Sequence, residues 1–212
     1  MSVESPSTRL DRRKARTRAA LVSAAQAFLA SGRTNVSIQV ITEAADVGFG
    51  SFYNHFSSKE ELFDEAVATA LDTWSALRDE AVAGLTDPAE VFARSFRMTG
   101  RLQRAYPELV RIILNTGTSV LVTDRGLRPR AVADIAAGIE AGRFDMPDPE
   151  LGMMAAGGAL LGLLQLLESD ASLDDGAASD GFTERVLLMF GLGPEEAREI
   201  STRPLPKLPA IT

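Results

Sequence analysis

The stretch from Ile38 to Leu62, IQVITEAADVGFGSFYNHFSSKEEL, constrains the fold more than any other part of the chain. It predicts a helix from Ile38 to Ala45 with Ser37 as N-cap, because a Ser hydroxyl can accept the orphan backbone N–H groups of a first turn. Ile38, Ile41, Ala44 and Ala45 recur at helical spacing and are expected to form one buried stripe. Asp46-Val47-Gly48 breaks the pattern. Asp tolerates a left-handed backbone, so Asp46 is expected to make the turn and Val47 to plug it against the core. Gly48 to His55 has room for two helical turns, with Phe52 and Phe56 facing inward. Ser57 or Ser58 then caps a third helix, with Glu60 or Glu61 as capping-box partner. A helix of about eight residues, a turn and a second helix is helix-turn-helix geometry, which lays the second helix in the DNA major groove.

The second helix has a surface suited to that task. Gly48 and Gly50 leave its N-terminus bare, so backbone N–H groups can approach phosphates. Ser51, Tyr53, Asn54 and His55 offer short or planar hydrogen-bonding groups. Asn and Gln can pair bidentately with adenine, and Phe can touch a thymine methyl.

The joint pattern Gly50, Tyr53, His55-Phe56 and Lys59, with Ile41, Glu43-Ala44-Ala45, Val47, Ser58 and Leu62, resembles the N-terminal domain of the TetR (tetracycline-repressor) family of transcription regulators. The likeness runs from about Arg18 to Leu71. It departs at Asp46, where the family usually has Gly, at Gly48, where Ser or Thr is usual, and at Phe49, often polar. The last departure bears on base preference. The resemblance implies that Tyr53, His55 and Lys59 contact phosphates and that Gln39, Phe49, Gly50, Ser51 and Asn54 face bases. Ser37 and Gly48 join the DNA-facing set at the two helix starts.

Charge distribution agrees with a DNA-binding end. The formal net charge is −7, but residues 1–62 carry eight basic and six acidic side chains, so the deficit lies in residues 63–212. The basic cluster from Arg9 to Arg18, with Arg12 and Arg13 in its middle, is expected to touch the DNA backbone or minor groove from a mobile arm and the first helical turns. That cluster and the apolar run behind it mimic a signal peptide. Leu21, Ala25, Phe28 and Leu29 keep an amphipathic period instead, which predicts an ordinary helix from Asp11 to Ser31, ended by Gly32.

The remaining chain predicts helices only. One runs from Ser58 to about Gly84, and Asp87-Pro88 caps the next. Pro107 opens another, Ser119 to Val122 is helix or connector, and further helices cover Arg128 to Ala141 and Glu150 to Ser169. An acidic loop from Asp170 to Gly181 is expected, then a helix from Phe182 to Phe190, a short helix opened by Pro194, and an extended tail from Arg203. Leu151 to Leu167 carries no charge, but its glycines and length favour a buried helix over a membrane span.

The fold class expected is therefore all-α: an N-terminal three-helix helix-turn-helix domain over residues 1–62 joined to a helical ligand-binding and dimerisation domain over 63–212. The resemblance implies a small-molecule pocket in the second domain, for which Trp74, Phe92, Phe96, Tyr106, Ile113, Asn115 and Phe144 are candidates. It also implies a four-helix dimer interface, for which Gly158, Gly162, Phe182, Val186, Met189 and Phe190 are candidates. The expected partners are a double-stranded DNA operator with two-fold symmetry, an unknown small-molecule effector and a second copy of the chain, with no membrane. Enzymatic chemistry is not expected: there is no Cys, a single His and no phosphate-loop or nucleophile-elbow motif. No metal and no cofactor is expected. The absence of Cys fits a cytoplasmic protein. The competing reading is a helical small-molecule-binding module without DNA-binding activity.

Overall fold

The computed structural model describes residues 9–206; residues 1–8 of the expected arm and 207–212 of the expected tail lie outside this range. The elements are α1 (Arg9–Ala30), α2 (Ile38–Ala44), α3 (Phe49–Phe52), α4 (Lys59–Val82), α5 (Pro88–Ala105), α6 (Pro107–Thr116), a 3₁₀ turn (Gly117–Leu121), α7 (Leu127–Glu140), α8 (Pro149–Ser169), α9 (Asp175–Met189) and α10 (Pro194–Thr202). No strand occurs among the described residues, so the chain is all-α. Two compact units divide within α4, Met1–Thr69 and Ala70–Thr212.

In the first unit, Leu21, Ala25, Phe28 and Leu29 of α1 are buried, as are Ile41, Phe52, Phe56, Leu62 and Ala66. Gln26 ties α1 to α4 by donating to the Ala66 carbonyl at 3.1 Å. The α2 stripe differs from expectation. Ala44 is exposed, and Ile38 and Ala45 are only half-buried, while Thr42 is buried beside Ile41. Thr42 tolerates this because its hydroxyl donates back to the Gln39 carbonyl at 2.9 Å. A seven-residue helix followed at once by a turn simply does not extend far enough to bury its last residues.

In the second unit, Asp87 caps α5 by accepting from the Ala89 N–H, with Pro88 at the first helical position. α5 runs closely past α9: a Cβ on Gly100 would stand 2.3 Å from Ser179 Oγ, so only glycine fits. Phe92, Phe144 and Phe190 meet in the core, with ring centroids 4.9 to 5.9 Å apart.

α9 begins earlier than expected, at Asp175 instead of Phe182. Asp174 accepts from the Ala177 N–H at 2.7 Å, which supplies the cap. Arg97 and Arg101 of α5 both grip Asp180, at 2.7 and 2.8 Å. Tertiary contacts thus hold helical a stretch whose Asp, Gly and Ser content favours loop. α8 is long and apolar enough to cross a membrane by length and composition. It is not wholly buried as expected. Met153, Ala156, Leu163, Leu164 and Leu167 face the core, whereas Leu151, Met154, Gly158, Gly162 and Leu166 are exposed.

Candidate nucleic-acid interface and ligand cavity

The turn after α2 is built as its residues require. Ser37 Oγ accepts the Val40 N–H at 3.3 Å. Asp46 takes φ 53°, unusual for a residue with a side chain. The Val47 N–H reaches back to the Thr42 carbonyl at 3.0 Å, which closes the helix end. Gly48 is the N-cap of α3 and offers no side-chain cap, so the N–H groups there stay uncovered by a side chain. α3 is shorter than the two turns expected: Tyr53 to His55 continue as a turn, held by His55 N–H to the Phe52 carbonyl at 2.9 Å.

This geometry splits the aromatics into two sets. Phe52 and Phe56 are buried, whereas Phe49 and Tyr53 are 53% and 56% exposed. Tyr53 stands edge-on to both Phe49 and Phe52, with centroids 5.9 and 5.3 Å away. The result is a braced aromatic ledge on the surface. Gly50 and Asn54 are exposed beside it and Ser51 is half-buried. Gln39 is exposed on α2, where its amide donates to Glu43 at 3.0 Å.

Lys59 begins α4, immediately after a reciprocal cap. Ser58 Oγ accepts the Glu61 N–H at 3.1 Å, and Glu61 accepts the Ser57 N–H at 2.6 Å. Both serines are used, where the sequence left a choice. Burial, followed by the positive charges of Lys14 and Arg18, holds the His55 pKa below its ordinary value. The neutral form of the ring is thereby favoured. Its Nδ1 is buried and has no partner among the described residues. Arg12 and Arg13 are exposed on the first turns of α1.

The second unit holds a cavity of about 100 Å³. Of the candidates, Trp74, Phe92, Phe96 and Ile113 line it. Three do not, and the assignment is corrected. Phe144 is buried, but its ring is packed against Phe92, Phe190 and Gly138, where a Cβ would lie 2.1 Å away. Asn115 is exposed near the end of α6, and Tyr106 is half-buried at the α5–α6 junction. The polar lining was missed: Arg78, Ser95, Thr99, Arg125, Arg128, Arg130 and Asp134. Trp74 Nε1–H donates to Thr99 Oγ1 at 3.1 Å, and Arg78 Nε donates to Ser95 Oγ at 3.0 Å. The spacing of four between Trp74 and Arg78, which puts both on one helix face, was the available signal.

The candidate interface residues also separate. Gly158 and Gly162 are exposed with open space beside them, and Met189 is exposed. Val186 and Phe190, placed on the same stripe by sequence, are 4% and 0% exposed and belong to the chain's own core. Phe182 is half-buried against it. One face of α9 was read where two lie side by side.

Residues 20–66 match the family described as "Bacterial regulatory proteins, tetR family", and residues 87–203 match "Tetracyclin repressor-like, C-terminal domain". The solved structure of RolR in complex with resorcinol is 35% identical, covering 93% of this chain and 99% of that one, with a TM-score of 0.74. An uncharacterized HTH-type transcriptional regulator, YhgD of Bacillus subtilis (strain 168), is 29% identical over 62% of this chain and 73% of its own length. FadR from Bacillus subtilis, in complex with stearoyl-CoA, shares the fold at 15% identity and a TM-score of 0.64, over 80% of this chain and 97% of that one.

Proposed function

Because this chain belongs to the tetR family of bacterial regulatory proteins, we propose that it acts as a homodimeric repressor that a small molecule releases from a two-fold symmetric operator. The observation that carries this reading is the set of exposed polar and aromatic side chains on α2, α3 and the turn that follows α3. Gln39, Phe49, Asn54 and Tyr53 are exposed without being needed for the core. Tyr53, His55 and Lys59 take the phosphates, with Arg12 and Arg13 alongside. Gln39, Phe49, Gly50, Ser51 and Asn54 take the base edges, and Ser37 and Gly48 present helix starts to the backbone.

The effector is a single-ring hydroxylated aromatic of the resorcinol class. RolR, at 35% identity, holds resorcinol. The cavity here, of about 100 Å³, is near the scale of an apolar cavity of about 150 Å³ that admits benzene. It is too small for a fatty acyl thioester. α4 supplies Leu71, Trp74 and Arg78 to the cavity and begins at Lys59, so a shift of α4 on ligand binding reaches a DNA contact. A coupling of about 1–3 kcal/mol changes DNA affinity roughly 5- to 150-fold.

Selection of duplexes from a random library by the full chain, at low salt, tests the first part. Enrichment of a two-fold symmetric site is expected; no enrichment would leave a small-molecule-binding module. Titrating resorcinol with and without the selected operator tests the second. Linkage requires that each ligand weaken the other by the same factor, and equal resorcinol affinity in both titrations refutes the switch.

A further inference from the structure

Four guanidiniums and one carboxylate line the cavity: Arg78, Arg125, Arg128, Arg130 and Asp134. Four cations against one anion would ordinarily mark a site for an acidic ligand. The hydrogen bonds reverse that expectation. Arg78 uses all three of its nitrogens, Nε on Ser95 at 3.0 Å, Nη1 on Asp79 at 2.9 Å and Nη2 on Asp134. Arg130 Nε meets both Asp79 oxygens, at 3.0 and 2.8 Å, while its Nη1 takes the Gly126 carbonyl at 3.3 Å. Arg128 divides its two terminal nitrogens between Asp124 at 2.9 Å and Glu150 at 2.8 Å.

Arg125 is paired with Asp72. That pair is about half exposed. An anion drawn to Arg125 would therefore meet it in water, where the attraction is weak. Every lining cation thus already meets a carboxylate before any ligand arrives, with Arg78 and Arg130 sharing Asp79. What remains unmatched is an acceptor. Among the described residues Arg78 alone donates to Asp134, through Oδ2, which leaves Oδ1 for a ligand. Thr99 accepts from Trp74, and its own hydroxyl hydrogen is left to give.

We infer that the effector is an uncharged hydroxylated ring, that the cavity rejects the same ring bearing a carboxylate, and that Asp134 with its partner Arg78 sets this choice. The inference rests on reading the cavity as the effector site. A carboxylate entering it would lose its water, find no unpaired cation and meet a second carboxylate at Asp134, where burial already disfavours the ionised form. A neutral phenol instead donates to Asp134 and accepts from Thr99, with its ring against Trp74 and Phe96. Specificity here comes from a repulsive element as much as an attractive one.

The test uses the full chain and matched pairs: resorcinol with 3,5-dihydroxybenzoate, and phenol with benzoate. Affinity is read by calorimetry and thermal shift at neutral pH. The neutral member of each pair is expected to bind at least about a hundredfold more tightly than its acid. An acid that binds as well as its neutral partner overturns the inference while leaving the cavity an effector site. Silence from every compound overturns the single-ring reading of the effector, and this inference with it. Asp134→Asn should narrow or invert the preference, while Asp134→Glu should keep it. Unchanged discrimination in a folded Asp134→Asn protein refutes the role of Asp134. If that variant does not fold, the matched pairs on the unaltered chain still decide whether the acid is rejected, and loss of the preference in a folded Asp134→Glu protein refutes the role of Asp134.

Discussion

Replacing Gly158 with Leu is expected to separate the proposed dimer contact from folding of the single chain. A Cβ at Gly158 meets nothing within 4 Å inside the subunit. The surface around it on α8 is apolar, with Leu151 58%, Met154 43% and Leu166 42% exposed. Within one subunit the change is therefore free of steric cost. Because Leu is a far better helix former than Gly, the monomer gains up to about 1 kcal/mol. In a two-fold dimer packed through this face, the new side chain enters a close helix approach. Overpacking costs about 1–3 kcal/mol per site. Two-fold symmetry repeats each substitution, so the dimer loses about 2–6 kcal/mol, a weakening of roughly thirtyfold or more.

Sedimentation equilibrium over a range of concentrations reads the association. Circular-dichroism melting at a concentration where both proteins are monomeric reads the fold. Gly158→Leu should be monomeric where the unaltered chain is dimeric, with an equal or higher monomer melting temperature. Gly157→Leu is the contrast. A Cβ there would stand 2.8 Å from Leu121 and 3.0 Å from Met153, so that variant should lose subunit stability itself. An unchanged dissociation constant for Gly158→Leu would move the interface elsewhere, and a lower monomer melting temperature would refute the steric argument.

Two further outcomes are expected. Asn54→Ala should cost about 1–3 kcal/mol on the selected operator and relax discrimination at one base pair per half-site, as competition with all four bases at each position would show; unchanged preference would assign the reading to DNA shape. Asp87→Ala should cost about 1 kcal/mol, because it removes the α5 cap and the two-point contact with Arg143 at 2.9 and 3.1 Å. Burial opposes ionisation of Asp87, but Arg143 and the Ala89 N–H outweigh it and hold its carboxyl below the usual range. Its contribution is therefore full above the ordinary carboxylate pKa and is lost as pH falls through the lowered folded value. Urea melts at neutral and acid pH should show a shallower acid loss in Asp87→Ala, and an unchanged slope would refute this account.

Local signals explain which parts were legible in the sequence. Ser37, Asp46, Asp87-Pro88 and Pro107 each act on the backbone within a few residues, so caps and turns could be read directly. The capping pair at Ser57, Ser58 and Glu61 was nearly so. The misread stretches depend on distant partners. Asp175 to Gly181 is helical because Arg97 and Arg101, far back in the chain, hold Asp180. Phe144 looked like pocket lining because an aromatic carries no mark of which side of it will be filled, and Phe92 and Phe190 fill it. The polar wall of the cavity was invisible for the same reason: Arg78 and Asp134 pair across 56 residues. The readings of α2, α3 and α9 failed locally: α2 and α3 end too soon to carry their stripes on, and the four apolar residues of α9 at helical spacing cover two adjoining faces.

Net charge illustrates how position outranks composition in this chain. Its net −7 would repel DNA if the molecule acted as a point. Exposed charges are screened beyond about 8 Å at physiological ionic strength, so only those near the docking face count. Even within the first unit the cations are not equivalent. Arg18 pairs with Glu65 at 3.1 Å and lies 4.9 Å from the Phe56 ring centre. Arg33 lies 5.2 Å from the centre of the Phe28 ring. These two brace the fold. Arg9, Arg12, Arg13 and Arg16 are exposed at spacings of three and four, so they share one side of α1. Arg9 and Arg12 also sit in its first turn, where the helix dipole is positive. A phosphate approaching that side meets concentrated positive charge, and the acidic side chains of the second unit bear on it only where they fall within the screening distance.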